Sequence, residues 1–157
     1  MMSSEELFLQ SIGITNLEKY KDYKIIDVTL NERKREFNVK MALPEVVIPE
    51  DIDGLWMAGR RGINGNIKVN LELFQEKRNP EEIIKIFKYV LNDFTKMKPS
   101  LIGVVDNNVT LDDDILVLEV NTKVEEKMIL DSVKVLVSKL ELYGIRDVNI
   151  TTVVSET

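Results

Sequence analysis

The chain has 157 residues, of which 44% are hydrophobic and 31% are charged, and its net charge is −6. This composition is typical of a folded globular protein and argues against a disordered chain. Cysteine and histidine are absent, which excludes disulfides, thiolate metal sites and a thiol nucleophile and removes the most frequent general base. No apolar run approaches the roughly 20 residues that span a bilayer, and the first residues lack a signal-peptide pattern. We therefore expect a cytoplasmic protein without membrane contact and without a cofactor or bound metal.

Charge is distributed unevenly along the chain. Residues 1–78 carry 12 Lys and Arg against 13 Asp and Glu, a balance of −1, whereas residues 79–157 carry 9 against 14, a balance of −5. The basic residues of the first half are clustered, and the clusters are Lys19, Lys21 and Lys24; Arg33, Lys34 and Arg35; and Arg60 and Arg61. A local basic face attracts phosphates even on an acidic chain. Solvated turns and helix ends are the commoner setting for such clusters.

The first half predicts a helix, two strands, a short helix and a third strand. Ser3 or Ser4 can cap the first helix, and the predicted buried residues of that helix are Leu7, Phe8 and Ile12. Two strands joined by the turn NERKRE follow, and their alternating apolar residues are Ile26, Val28 and Leu30, then Phe37, Val39, Met41 and Leu43. A short helix is predicted around Leu55 to Ala58. The residues that alternate in the closing strand are Ile67, Val69, Leu71 and Leu73.

The second half predicts the same order of elements. The segment EKRNP, residues 76–80, is the best boundary in the chain because it combines charge, Asn and Pro. Asn79 and Pro80 suit the start of a helix, and the apolar face of that helix is predicted to contain Ile83, Phe87, Val90, Phe94 and Met97. A strand, a turn and the strand 115–120 follow. One long helix is predicted over 124–143, ended by Gly144, before a closing strand over 148–154.

The segment Gly59-Arg60-Arg61-Gly62 is the first local feature that could carry a function. KH-like domains clamp a nucleic-acid backbone with a GXXG loop whose middle residues are often basic, and the helix, strand, strand, helix order around this segment is also KH-like. A second helix should follow such a loop, whereas here the chain leads straight into a strand. A basic, flexible loop is the alternative interpretation.

Three further features have both a functional and a structural interpretation. Asp112, Asp113 and Asp114 could hold magnesium, but successive strand residues point to opposite faces, and Asp favours turns. Trp56 could stack on a base or anchor a partner, or it could pack on the sheet. The apolar helices 81–97 and 124–143 could present a groove to a partner, or they could form the core.

Several segments of the chain resemble the N-terminal region of the PolC-type DNA polymerase III alpha subunit, the bacterial replicative polymerase. They are LFLQSIGI with KYKDYKIIDVTLNERKREFNVKMALPEVVIP, then PEEIIKIFKYVLNDFTKMKPSL, and finally LDDDILVLEVNTKVEEKMILDSVKVLVSKLELYGIRDVNITTVVSET. The last includes an aromatic-Gly-apolar step, Tyr143-Gly144-Ile145, like that of the family. The resemblance covers nearly the whole chain and is one of pattern and order. The family has a longer helix before its third strand, and here we expect barely two helical turns.

The resemblance implies a fragment of a larger enzyme. Family members carry an oligonucleotide-binding domain, a phosphoesterase-like domain, a 3′–5′ exonuclease and the polymerase domain after this region. None of their catalytic motifs is present in this chain, so we expect no activity from it. The modules of the region are similar to the KH-like, polymerase-binding domain of the clamp-loader tau subunit. The family's proposed roles are protein contacts within the replisome and nucleic-acid contact.

We therefore predict an α+β fold of two KH-like modules in tandem, residues 1–78 and 79–157. Each should have an antiparallel three-stranded sheet with its helices on one face. The expected function is replisome docking in DNA replication, with at most weak contact to single-stranded DNA. The candidate residues for that contact are Arg33, Lys34, Arg35, Arg60 and Arg61. The alternative is a free-standing KH-like nucleic-acid-binding protein.

Overall fold

The computed structural model describes residues 1–155. The chain divides into two compact units, one from Met1 to Arg78 and one that begins at Asn79. The first unit contains α1 (Ser4–Ser11), β1 (Lys24–Asn31), β2 (Glu36–Ala42), α2 (Pro49–Arg61) and β3 (Lys68–Phe74). The second contains α3 (Pro80–Met97), β4 (Val109–Asp112), β5 (Ile115–Val120), α4 (Lys123–Asp131), α5 (Val133–Leu142) and β6 (Asn149–Val154). The protein is therefore an α+β protein with two small three-stranded sheets.

Both sheets are mixed, so the predicted all-antiparallel sheets are wrong. β1 pairs antiparallel with β2, but β2 pairs parallel with β3. The second sheet repeats this, with β4 antiparallel to β5 and β5 parallel to β6. A hairpin turn can join only antiparallel strands, whereas a helical crossover carries the chain back to the end of the sheet where the preceding strand began, so the next strand is parallel to it. Each unit is thus a hairpin followed by a helical crossover to a parallel third strand.

One face of the first sheet forms the core of its unit. Val39 and Met41 on β2 lie beside Leu71 and Leu73 on β3, and all four side chains are buried. The buried residues of α2 are Pro49, Ile52, Leu55, Ala58 and Gly59. The opposite face of the sheet is polar: its side-chain hydrogen bonds run from the Asn70 amide to Asn38 Oδ1 at 2.8 Å and from the Asn38 amide to Thr29 Oγ1 at 3.3 Å.

The helix α2 is longer than predicted. It spans 13 residues rather than the few around Leu55 to Ala58. Pro49 occupies its first turn, where the missing N–H costs no helical hydrogen bond, and two acidic residues follow. Gly62, with φ +73°, ends the helix. The expected two-turn limit on this helix is therefore wrong.

The first helix buries a slightly different face from the one predicted. Phe8, Leu9 and Ile12 are buried, but Leu7 is exposed. Ser3 caps the helix, because its hydroxyl accepts the Glu6 N–H and the Glu6 carboxylate accepts the Ser3 N–H. This reciprocal pair is a capping box, and it identifies Ser3 as the cap among the two serines that the sequence offered.

In the second unit the helix α3 follows the prediction closely. Asn79 Oδ1 accepts the Glu82 N–H at 3.4 Å, and Pro80 is the first helical residue. The predicted face is buried at Ile83, Phe87, Val90 and Phe94. Met97, in the last turn, is exposed instead.

The single long helix predicted over 124–143 is two helices, α4 and α5, separated at Ser132. The Ser132 hydroxyl donates to the Met128 carbonyl oxygen at 2.8 Å. A serine hydroxyl bonded to the carbonyl one turn back competes with the helical hydrogen bond and bends the helix. Ile129 before the break and Leu136 and Leu140 after it are fully buried, so both helices contribute to one core. Among residues 1–155, no helix is long and apolar enough to cross a membrane.

Candidate functional site

Three of the predicted nucleic-acid-binding residues lie in the turn between β1 and β2. Arg33, Lys34 and Arg35 are all exposed. The turn is held locally, because Asn31 Oδ1 accepts the Lys34 N–H at 3.2 Å. Arg35 has φ 53°, in the left-handed region. The three side chains are therefore presented on a turn whose backbone is fixed by its own hydrogen bond.

The other two predicted residues, Arg60 and Arg61, lie in the last turn of α2. The segment Gly59–Gly62 is thus the end of a helix, and the expectation of a basic, flexible loop is wrong. The helix is not followed by another helix: the Ile63 N–H donates to the Ile67 carbonyl oxygen at 2.9 Å, which closes a small hairpin. Backbone amides inside the last turn of a helix already donate within the helix. They cannot bind a phosphate as a GXXG loop does, so only the side chains of Arg60 and Arg61 are available for phosphate contact.

The topology brings these two groups to one end of the first sheet. Because β2 and β3 are parallel, the crossover helix α2 must run back and end where both strands begin. A hydrogen bond of 3.0 Å from the Lys68 N–H to the Arg35 carbonyl oxygen joins the start of β3 to the hairpin turn. We call this surface the basic end, and its residues are Arg33, Lys34, Arg35, Arg60, Arg61 and Lys68.

Lys68 is the member of the basic end that sequence reasoning missed. It is exposed and lies opposite Glu36 in the register of β2 and β3. The parallel pairing places it beside the hairpin turn, and only a correct prediction of that pairing could have found it. The basic end is not uniformly positive, since Glu32 and Glu36 belong to the same turn region.

The first strand of the sheet has an apolar surface that no prediction identified. Ile26, Val28 and Leu30 are exposed, although Val28 and Leu30 lie opposite Val39 and Phe37 on the same side of the sheet as the core. Among the described strands, β1 pairs only with β2 and is therefore an edge. A groove of about 540 Å³ opens at its carboxyl end, and the residues that line it are Thr29, Leu30, Asn31, Glu32, Arg33 and Asn38.

The three consecutive aspartates form the predicted turn. Asp112 ends β4, Asp113 has φ 52°, and Ile115 begins β5. The Asp114 carbonyl oxygen accepts the Asn149 N–H at 2.8 Å, which ties the turn to the start of β6. Within residues 1–155, no group of three acidic side chains is close enough to share a metal ion. The aspartates thus form the hairpin turn that the sequence predicted.

Trp56 lies on α2 and is partly buried. Leu55 beside it is fully buried, whereas Met57 on its other side is exposed. Trp56 thus lies between a buried and an exposed neighbour, at the boundary of the core. This position matches packing against the unit more closely than a ring presented for base stacking.

Comparisons with known proteins give no match to this chain among family models, curated proteins or solved structures.

Proposed function

We propose that this chain is the N-terminal, non-catalytic part of a PolC-type replicative DNA polymerase and that it serves DNA replication as a docking region for replisome proteins. The observation that carries the proposal is the repetition of one topology, a helix, a hairpin and a helical crossover, in both units. This is the order of elements that the resemblance to the family's tandem KH-like modules implies.

The titratable side chains support docking rather than catalysis as the function. Chemistry at neutral pH usually depends on clustered titratable groups whose pKa values are perturbed by their surroundings. Tyr20, Lys21 and Tyr23 are among the side chains whose pKa values are clearly shifted. The tyrosine shifts are due mainly to burial, and the Lys21 shift is due mainly to its exposed pair with Glu18. None of these settings matches a catalytic acid or base.

The direct test is a binding experiment with purified replisome proteins. The chain is immobilised and titrated with the clamp-loader tau subunit, the sliding clamp and the single-strand-binding protein in turn, with an unrelated acidic protein of similar size immobilised as the control. We expect saturable binding of at least one replisome protein and none to the control. If none of the three binds, the docking function is wrong.

A second test concerns the polymerase assignment itself. The reading frame is sequenced beyond the codon for Thr157. A frame that continues into an oligonucleotide-binding domain and an exonuclease would support the assignment. A stop codon immediately after Thr157 would contradict it, whatever the binding experiment showed.

The basic end favours a second candidate function, which is weak contact with single-stranded DNA. In a free-standing KH-like protein, nucleic-acid binding would be the main function. The six cations of the basic end lie on one end of the unit, but the helical setting of Arg60 and Arg61 removes the backbone clamp. Contact through side chains alone is dominated by counterion release, so affinity should fall steeply with salt.

Labelled oligothymidylate separates these alternatives when its anisotropy is measured at low and physiological salt. We expect weak binding at low salt that is nearly lost at physiological salt. In the double variant Arg60→Ala/Arg61→Ala, the slope of log K against log salt concentration should become less steep by about 0.7 for each phosphate that the protein no longer neutralises. Lys127→Ala/Lys134→Ala on the second unit should leave this slope unchanged. Tight binding that survives physiological salt and needs both arginines would favour the KH-like alternative. No binding at any salt would exclude DNA contact.

A further inference from the structure

We propose that the strand β1 is the docking edge for an extended peptide that carries apolar residues at alternate positions and acidic residues at the end nearest the turn of Arg33, Lys34 and Arg35. The proposal rests on the docking function proposed above, because it names the chemistry of the partner segment and where that segment is held. The mode of binding is the addition of a strand to the sheet.

The backbone of β1 is suited to strand addition. It runs for eight residues at the edge of its sheet, and the edge of a sheet presents backbone N–H and C=O groups that a further strand can pair. A bulge at Ile26 interrupts its register with β2, so the regular part of the strand is Asp27–Asn31. A peptide would pair along that part and continue towards the turn.

The apolar side chains of β1 lie at the border of the core and are partly exposed. Val28 and Leu30 lie beside the buried face of β2, yet 40% of Val28 and 53% of Leu30 is exposed. On one face of a sheet, directly opposed apolar pairs stabilise strand pairing. Alternate apolar residues of a bound peptide would lie against these two side chains and cover them.

The charges at the carboxyl end of β1 determine which charges the peptide should carry. Arg33 lines the groove at this end together with Leu30 and Glu32, and Lys34 and Arg35 follow in the exposed turn. Past Asn31 the turn thus carries one acidic and three basic side chains, so its balance is positive. Acidic residues there would be attracted and basic ones repelled, which gives the edge a preference for one charge pattern.

A second copy of this chain fits the edge less well. Antiparallel pairing of two copies could use only Asp27–Asn31 of each, because the bulge at Ile26 ends the regular part on one side and the turn after Asn31 ends it on the other. A peptide has neither a bulge nor a turn of its own and can pair over a longer stretch.

The test uses a labelled synthetic peptide in which valine alternates with threonine and which ends in glutamates. Two versions, with the glutamates at either terminus, cover both strand directions, and matched peptides carry lysines instead. Anisotropy is measured with the full chain and with Leu30→Lys, Arg33→Glu and the control Val153→Lys, whose side chain is 54% exposed on the second unit. Circular dichroism verifies that each variant is folded, and Val28→Lys replaces Leu30→Lys if that variant is not.

We expect an acidic peptide to bind and its lysine counterpart to bind more weakly. Leu30→Lys and Arg33→Glu should each weaken binding of the acidic peptide by up to about fivefold, the upper limit for losing one cross-strand pair, and Val153→Lys should have no effect. Arg33→Glu should also improve binding of the lysine peptide. Hydrogen exchange of the β1 amides should slow in the complex while that of the β6 amides does not change.

The proposal is wrong if neither acidic peptide binds, if Leu30→Lys behaves like Val153→Lys, or if exchange of the β1 amides is unchanged in the complex. A concentration-dependent dimer that Leu30→Lys abolishes would also overturn it, because the occupant would be a second copy. If the clamp-loader tau subunit binds the unsubstituted chain and Leu30→Lys with equal affinity, β1 is not the docking edge, but the docking function stands. If no replisome protein binds, the docking function fails, and the peptide titration still decides the edge.

Discussion

Removal of the Leu136 side chain should destabilise the second unit by a large fraction of its folding free energy. Leu136 lies in α5, one turn before the buried Leu140, and its side chain is 0% exposed. Truncation of such a leucine to alanine costs about 2–5 kcal/mol, since it loses apolar burial and leaves a cavity. A unit of about 80 residues typically has a stability of about 4–12 kcal/mol. Leu136→Ala should therefore lose a large part of the stability of this unit.

Leu136→Asp should have a more severe effect at the same position. It removes the same apolar side chain and also places a carboxylate in the core, where an unpaired charge is costly. We expect the second unit of this variant to be unfolded at room temperature. The two substitutions thus form a graded pair in which only the chemistry of the new side chain differs.

Urea unfolding followed by far-UV circular dichroism measures the effect. For a slope of about 1 kcal/mol per molar urea, the midpoint of Leu136→Ala should fall by about 2 M or more. The neighbour Val135 provides the control, because it lies in the same helix with 50% of its side chain exposed; Val135→Ala should change stability by no more than about 0.5 kcal/mol. Hydrogen exchange should locate the loss of protection to α5 and β6. If Leu136→Ala behaves like Val135→Ala, this face of the helix is not buried and the packing of α5 against its sheet is wrong.

Three further predictions concern a buried phenol, two glycines and the aspartate turn. Burial of Tyr23 raises its pKa above the ordinary value of 10.0. Its contribution to stability is therefore complete below pH 10 and is lost above it, because the unfolded chain then releases a proton that the folded chain keeps. In Tyr23→Phe the urea midpoint should fall less above about pH 10 than in the unsubstituted chain, and an equal fall would contradict this. Gly62 and Gly65 both have φ +73°, but only at Gly62 would an added Cβ collide with the main chain of the adjoining hairpin; Gly62→Ala should therefore lower the thermal midpoint more than Gly65→Ala, and equal shifts would refute the reasoning. The isolated chain should neither polymerise nor degrade DNA with magnesium, and activity that disappears in Asp112→Asn/Asp114→Asn would overturn the non-catalytic assignment.

The elements with strong periodicity were predictable from the sequence. The helix α3 carries a capping Asn, an initial Pro and apolar residues in steps of three and four, and each of these signals acts locally. The same holds for β5, which has the bounds that the sequence predicted, residues 115–120. Where local signals agree with each other, the structure follows them.

The length of α2 was not predictable in this way, because glycine lowers helix propensity and two glycines lie within the helix. The structure gives a reason for one of them. A Cβ at Gly54 would lie 2.8 Å from the Tyr20 hydroxyl oxygen, and that hydroxyl donates to the Asp51 carbonyl oxygen at 2.7 Å. The glycine thus permits a close approach, and burial of Ile52 and Leu55 against the sheet stabilises the helix despite it. Tertiary contact of this kind has no signature in the local sequence.

The candidate site was predictable only as a set of residues. Alternation of Ile26, Val28 and Leu30 indicated a strand with an apolar face, but alternation cannot tell whether another element covers that face. The basic clusters were visible in the sequence, but their convergence depends on the parallel pairing of β2 and β3. A helix between two adjacent strands implies parallel pairing, so this part could have been derived from the predicted elements.

The two units together show that the long edge of the first sheet is not a requirement of the fold. The second unit builds the same topology with β4, a first strand of only four residues. Short edge strands protect a sheet against unwanted pairing, and β4 has this property. In the first unit β1 runs for eight residues and leaves Val28 and Leu30 exposed. Since exposure of apolar residues on an open edge favours aggregation and adds little stability, the additional length of β1 is better explained by a partner strand than by the folding of its own unit.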